Sequence, residues 1–284
     1  MTSGCYSAFL WLYSLGIGTA LSPMADTPAL LQEARACLEN NKTDEALRIT
    51  DLAVKNDPKS APAHLLRGTI HESLHRHTEA VADFDKTIQL DPKAAEAYNR
   101  RGSEQFKLGH IAASIKDFDK FLELKPQEQP GHWKRGISYY YAGRYEEGRK
   151  QFEGYEQVDT NDVENAVWRY LCMARAGSVE KARDALLKVG NDRRVPMMQI
   201  YQLYAGRAKP EDVLAAVRVD KPSAEQLNQR LFYAYLYLGL YAEAAGDKKQ
   251  ALEHLTKAAE DHKIGHYMWD VARVHLELLR KPAK

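Results

Sequence analysis

Hydrophobic and polar positions follow a helical period through most of the chain, in pairs of amphipathic stretches about 12–14 residues long. A short turn separates the two stretches, and the whole pair recurs every 34 residues. The turn carries Gly, Asn or His, which are residue types that adopt the left-handed backbone needed at a helix C-terminus. The turn positions are Asn41, His75, Gly109, Gly143 and Gly177. The pattern predicts helix pairs, each joined by a tight turn.

Four residue types repeat with the same 34-residue interval. The series are Gly68, Gly102 and Gly136; Phe84, Phe118 and Phe152; Pro58, Pro92 and Pro126; and Arg67, Arg101, Arg135 and Arg169. We expect the glycines to let the paired helices approach closely and the phenylalanines to fill the space between units. The prolines should end each second helix, since proline cannot continue it. We interpret the arginines as ion-pair partners of acids such as Asp83, Asp117 and Asp119, rather than as a ladder for an anionic ligand.

The stretches 97–126 and 132–152 resemble the tetratricopeptide repeat (TPR) family. This resemblance implies an all-α fold, namely a right-handed superhelical solenoid of antiparallel helix pairs. The expected organisation is five contiguous units over 26–195, a degenerate helical pair over 196–222, a further unit over 223–263, and a C-terminal capping helix and tail over 264–284. A cap is needed because an end repeat otherwise exposes an apolar face.

The N-terminal segment differs in composition from the rest of the chain. Residues 1–25 contain no charged side chain, and 8–21 form an apolar run that is too short to span a bilayer but suits a secretory signal. Cys5 precedes this run, whereas a lipoprotein needs a cysteine directly after it. We therefore expect 1–25 to be a signal peptide and the protein to be soluble, in the periplasm or outside the cell. Tethering by an uncleaved N-terminus is the alternative.

Within the TPR family, 162–177 and 195–207 resemble bacterial exported proteins of the NlpI-like kind. The resemblance implies a scaffold that brings an envelope protease or a cell-wall hydrolase to its target.

Composition narrows the functional classes. The chain of 284 residues has 40 basic and 39 acidic side chains, which gives no electrostatic reason to expect nucleic acid as a partner. Cys37 and Cys172 are too far apart in sequence for a disulfide framework or a paired-cysteine metal site. The sequence contains no Gly-rich phosphate loop and no nucleophile elbow. We therefore predict a non-enzymatic protein with no cofactor.

One segment, 71–75, reads His-Glu-Ser-Leu-His and matches the zinc protease pattern, which needs both histidines on one continuous helix face. The repeat places His75 at the turn between helices, so the two rings need not converge. A zinc enzyme that uses this segment is kept as the third hypothesis, and we predict no metal site.

In TPR proteins the first helix of each pair lines the concave surface, and this rule selects candidate groove residues. They are Asn99, Ser103, Phe106, Lys107, Trp133, Ile137, Tyr140, Tyr141 and Arg175. Aromatic faces supply contact area and polar groups fix the register, a mixture that suits a peptide or protein partner. A glycan or small molecule stacked on the aromatic rings is the second hypothesis. Core packing is the alternative role for Trp133 and the tyrosines. A homodimer is also compatible with the family.

Overall fold

A computed structural model describes residues 26–281, and every regular element in this range is a helix. The predicted signal peptide and the last three residues lie outside the described range. Among the helices described, none has the length and apolar character required to cross a bilayer.

The N-terminal two thirds of the described chain consist of consecutive helix pairs. The pairs are α1 (Thr27–Glu39) with α2 (Thr43–Asn56), α3 (Ala61–Ser73) with α4 (His77–Leu90), α5 (Ala95–Lys107) with α6 (Ile111–Leu124), α7 (Trp133–Tyr141) with α8 (Tyr145–Gly154), and α9 (Val163–Ala176) with the short α10 (Val179–Asp184). Each helix packs against its partner, and each pair packs against the next helices along the chain. Helices α2, α4 and α6 end just before the periodic prolines, as predicted.

Left-handed residues make the turns within the pairs. Asn41, His75, Gly109 and Gly143 have φ angles of 58°, 56°, 78° and 71°, which confirms the prediction at these positions. Gly177 differs, with φ −146°, so the turn between α9 and α10 does not use the left-handed region.

Each periodic glycine faces the periodic phenylalanine of its own pair. A Cβ atom on Gly102 would lie 2.8 Å from Cε1 of Phe118, closer than van der Waals contact allows. Phe118 is fully buried, and its ring centroid lies 4.7 Å from that of His132 in the next pair. The phenylalanine therefore fills space both within its pair and between units. Gly68 with Phe84 and Gly136 with Phe152 repeat this contact.

The periodic arginines join successive pairs, which confirms their structural interpretation. Arg101 binds Asp117 on the second helix of its own pair through two hydrogen bonds of 2.8 and 2.6 Å. It also binds Asp85 on the second helix of the preceding pair at 2.6 Å. The equivalent contacts are Arg67 with Asp83 and Asp51, Arg135 with Gln151 and Asp119, and Arg169 with Glu153 and the carbonyl of Ala185.

The C-terminal third continues the helical stack less regularly. Its helices are α11 (Met197–Tyr204), α12 (Pro210–Ala216), α13 (Ala224–Ala244), α14 (Lys248–Thr256) and α15 (Tyr267–Arg280). A π-helical turn over Lys257–Asp261 extends α14. Helix α15 packs on α14, and it also contacts α5 in the third pair. The last helix therefore covers the final unit and, in addition, folds back over the concave face of the solenoid.

Candidate functional site

Helix α15 lies along the inner face that α5 and α7 build. The ring of Tyr267 lies 5.5 Å from Phe106, centroid to centroid. Two turns later in α15, Nδ1 of His275 is 2.9 Å from the hydroxyl of Tyr141. Contacts at both places show that this part of the concave groove is filled by the chain itself.

Three of the predicted groove residues are buried beneath these contacts. Phe106, Ile137 and Tyr140 are 0%, 1% and 6% exposed, and each belongs to the main hydrophobic core. Burial raises the pKa of the Tyr140 hydroxyl, whose ring packs edge-to-face on Trp168 at 5.4 Å. Together with Tyr141, which contacts His275, these side chains pack against the chain's own helices in this structure.

The predicted polar groove residues also have partners within the chain. Nζ of Lys107 donates to Glu104 at 2.6 Å, and Nζ of Lys134 donates to the hydroxyl of Ser103 at 3.3 Å. Burial alone would raise the pKa of Glu104, but hydrogen bonds from His77 and Lys107 outweigh it and lower that pKa. This buried cluster fixes the end of α5.

Asn99 is paired with His132, which precedes α7. Nε2 of His132 lies 3.1 Å from Oδ1 of Asn99, and its Nδ1 accepts from the backbone N–H of Arg135 at 3.3 Å. Burial, with the nearby charges of Lys134 and Arg135, lowers the pKa of His132 to about 3. The ring is therefore neutral at pH 7, with its proton on Nε2, where it donates to Asn99.

Trp133 and Arg175 both keep contact with solvent, as Asn99 and Tyr141 do in part. Arg175 is exposed and reaches Glu243 of α13 at 3.3 Å. Trp133 is half-buried at the start of α7; its ring is edge-on to Tyr267 at 5.4 Å and nearly parallel to His266 at 6.4 Å.

A cavity of about 210 Å³ opens beside Trp133, between α7, α9, α13 and the start of α15. Its aromatic wall consists of Trp133, Phe152, Tyr155, Trp168, Tyr233 and His266. Trp168 and Tyr233 are buried, whereas His266 is exposed. The cavity is therefore a partly open, aromatic recess in the concave face, next to the groove that α15 occupies.

Charged side chains form the other side of the cavity. Arg194 donates to Glu164 at 2.6 Å and to Asp162 at 2.9 Å, and all three residues line the cavity. Burial raises the pKa of Glu164, although Arg194 and the hydroxyl of Tyr237 oppose the shift. Asp162 also caps α9, because its side chain accepts from the backbone N–H of Glu164.

Two buried polar atoms of the cavity walls have no hydrogen-bond partner within residues 26–281. They are Nε1 of Trp168 and Oδ1 of Asn165. Such groups are uncommon in native proteins, because leaving one unpaired costs about 1–3 kcal/mol.

Comparison with known proteins agrees with the repeat pattern. Models of the tetratricopeptide repeat match residues 31–95, 95–128 and 233–263. The chain is a tetratricopeptide repeat protein. Arrays of this kind are protein-interaction scaffolds, and this chain has that architecture.

Several solved structures resemble this TPR protein, one of them over most of its length and others over about half of it. A tetratricopeptide repeat protein from Parabacteroides merdae has a TM-score of 0.58 and 15% identity, covering 90% of this chain and 99% of its own. MamA has a TM-score of 0.52 and 20% identity, covering 56% of this chain and 86% of its own. MamA from Desulfovibrio magneticus is 18% identical, with a TM-score of 0.52 over 57% of this chain and 92% of its own. At these identities the likeness concerns the fold alone. No curated protein sequence matches the chain.

The 71–75 segment of this TPR protein does not form the helix that a zinc protease motif requires. Helix α3 ends at Ser73, and His75 has a left-handed backbone with φ 56°. Glu72 pairs with Arg100 at 2.7 Å instead of facing a shared site. Over the part of the chain described, no group of three or more His, Cys, Asp or Glu side chains is arranged to hold a metal ion.

Sequence reasoning found Trp133 and Ile137 in the cavity wall but missed its charged side. Glu164 and Arg194 are 30 positions apart, and Arg194 lies in the non-helical stretch after α10. The 34-residue period carries no signal for that stretch. The acidic residues at the start of α9 were the local signal for this side of the cavity. Acidic residues are common at helix N-termini, so they did not by themselves indicate a site.

Proposed function

We propose that this protein is a non-enzymatic scaffold that binds a peptide segment of a partner protein through the concave TPR face, at the cavity beside Trp133. The half-buried indole of Trp133 at the mouth of this cavity is the observation that carries the proposal. Tryptophan in a desolvated recess is the residue type that most often dominates binding energy at protein interfaces.

The position of α15 supports this choice of face. Helix α15 already packs in the groove along α5 and α7, so the groove has the width and the aromatic lining that an amphipathic helix needs. Since α15 covers that section, the partner contacts the adjoining section, where α7 and α9 meet α13 around the cavity.

Crosslinking from the cavity tests the proposal. A photoreactive residue replaces Gly265, which is exposed, has open space around it and directly precedes the cavity residue His266, and a control replaces Lys120 on the outer helix α6. We expect one protein to be crosslinked in the native cell from position 265 and not from position 120. The variant Trp133→Leu should reduce the product about 30-fold, the effect of losing about 2 kcal/mol of binding energy. Equal products from both positions, or no effect of Trp133→Leu in a folded protein, would contradict the proposal.

The cell envelope is the compartment that we propose for this scaffold. The apolar run 8–21 supports export, and the NlpI-like resemblance favours an envelope protease or a cell-wall hydrolase as the partner. Sequencing of the mature N-terminus should find a start near residue 20–26, and a protein that still begins at Met1 would contradict cleavage. Calorimetry with cell-wall fragments separates the glycan hypothesis, because a peptide-binding scaffold should give no heat of binding with them.

A further inference from the structure

The charged side of the cavity has excess negative charge. Arg194 is the cation of this cluster and faces Asp162, Glu164 and Asp192. Of these residues, Asp162, Glu164 and Arg194 line the cavity and Asp192 lies behind Arg194, so carboxyl groups outnumber cations by one in the lining. Lys134 does not line this cavity; its Nζ donates to Ser103 and lies 5.1 Å from the ring centroid of Tyr267 and 5.7 Å from that of Trp133.

The hydrogen-bonding capacity of this cluster favours a donor rather than an acceptor as ligand. Arg194 uses four of its five N–H groups, through Nε and Nη2 to Asp192, Nη2 to Asp162 and Nη1 to Glu164. An anionic ligand would therefore find few free donors. Glu164 accepts one bond from Arg194 and one of 2.5 Å from Tyr237, so each carboxylate oxygen keeps a lone pair for a further donor.

The aromatic walls favour a planar cation. Trp133 and His266 are inclined by 17°, with ring centroids 6.4 Å apart, so they present nearly parallel faces. A guanidinium stacks on such faces and offers a fork of N–H groups to carboxylates, whereas an ammonium does neither as well. Desolvation by the neighbouring groups, with the charges of Lys134 and Arg194, lowers the pKa of the His266 side chain, although the residue as a whole keeps contact with solvent; the shift favours the neutral ring, which does not repel a cation.

The size of the cavity suits one side chain. Pockets for complete drug-sized ligands usually measure about 300–1,000 Å³. At about 210 Å³ this cavity is smaller, and it opens on the concave face where a peptide would lie.

We propose that the cavity binds an arginine side chain of the partner peptide, packed against the aromatic wall that includes Trp133 and His266 and hydrogen-bonded to Asp162 and Glu164. This inference rests on the proposed function only in naming a partner peptide as the source of the arginine. The cavity's preference for a guanidinium can be measured without the partner.

Titration of the full chain with N-acetylarginine methylamide, followed by NMR of the indole N–H signals, tests the site. The signals of Trp133 and Trp168 should shift and saturate with a Kd of about 1–10 mM, as expected for a single side chain. Trp269 does not line the cavity, so its signal should stay in place. The citrulline analogue, which keeps the shape without the charge, and the lysine analogue should each bind at least about tenfold more weakly.

Two variants with a matched control complete the test. Asp162→Asn keeps the helix cap and removes one charge, and it should weaken arginine binding about tenfold, which corresponds to about 1.4 kcal/mol. Glu164→Gln keeps an acceptor for Tyr237 and should do the same. Glu128→Gln removes one exposed charge outside the cavity and should leave binding unchanged.

Equal binding of citrulline or of the lysine analogue would overturn the assignment, as would unchanged binding by Asp162→Asn in a protein with native melting behaviour. Saturation of Trp269 alone would also overturn it. If arginine does not bind while crosslinking from position 265 still succeeds, the arginine assignment fails and the scaffold proposal stands. If arginine binds but crosslinking fails, the arginine assignment stands and the scaffold proposal fails.

Discussion

Replacement of Arg101 by methionine should destabilise the solenoid strongly, because Arg101 joins the second and third helix pairs. Asp117, which receives two of its hydrogen bonds, has a side chain only 6% exposed. Burial disfavours the guanidinium charge, but the bonds to Asp117 and Asp85 outweigh it and raise the pKa of Arg101. Methionine keeps an apolar stem of similar length while removing every N–H group.

The magnitude follows from the exposure of the two carboxylates. Asp117 would be left buried without its cation, which typically costs about 3–5 kcal/mol. The pair with Asp85 contributes about 0–1 kcal/mol, since that side chain is 57% exposed and screened by water. We therefore expect Arg101→Met to lower the free energy of unfolding by about 3–5 kcal/mol, and Asp85→Asn by less than about 1 kcal/mol.

Urea unfolding followed by circular dichroism measures both variants, and hydrogen exchange shows which pairs open. Exchange in α3–α6 should rise in Arg101→Met, because solenoid stability depends on the contacts between neighbouring units. The double variant Arg101→Met/Asp117→Asn should recover about 1–2 kcal/mol, since the remaining buried group is then uncharged. A loss below about 1 kcal/mol in Arg101→Met, or an equal loss in Asp85→Asn, would refute this reasoning.

Three further predictions concern pH, packing and the last helix. His132 has a folded pKa of about 3, below its value of about 6.5 in an unfolded chain, so its contribution to stability is complete above pH 6.5 and is lost as the pH falls towards 3. Thermal melts from pH 7 to pH 4 should show this decline, and His132→Asn should flatten it. Gly102→Ala should cost about 1–3 kcal/mol by forcing Phe118 to move. The same change at Gly131, where a Cβ would make only ordinary van der Waals contacts, should stay within about 0.5 kcal/mol; a similar loss at both sites would contradict the packing argument. Tyr267→Ala should cost about 3–5 kcal/mol and speed hydrogen exchange in α5; unchanged exchange there would show that α15 does not depend on this contact.

The sequence was sufficient for the regular part of the fold, because each repeat solves the same local packing problem. Gly102 must be small for Phe118 to fit, and His75 must be left-handed for the chain to reverse, so both requirements recur at the 34-residue period. The arginines that recur with the same period predicted ion pairs with acidic residues, and in the structure these arginines join neighbouring pairs.

The position of α15 could not be predicted in this way. Its amphipathic pattern predicts a helix with one buried face, but the contact between Arg273 and the carbonyl of Lys107 joins residues 166 positions apart. No repeat relates these two segments. The rule that assigns groove positions therefore selected Phe106 and Tyr140, but it could not show that both are buried in the core and that α15 of the same chain packs on Phe106.

The candidate cavity was partly accessible to sequence reasoning. Trp133 was selected because it begins the first helix of a pair, where concave residues lie. Its partner Arg194 lies in a segment where the repeat pattern is degenerate. Its partner Tyr233 lies in α13, where tyrosines occur on several faces of the helix. That these side chains meet at one cavity depends on the path of the chain after α10.

Hydrogen exchange of the protein with and without its crosslinked partner tests the scaffold account most directly. When the partner is bound, we expect slower exchange of the backbone amides in 155–162 and 262–266, the segments that border the cavity. Unchanged exchange in both segments, together with protection confined to the outer helices α6 and α8, would contradict it.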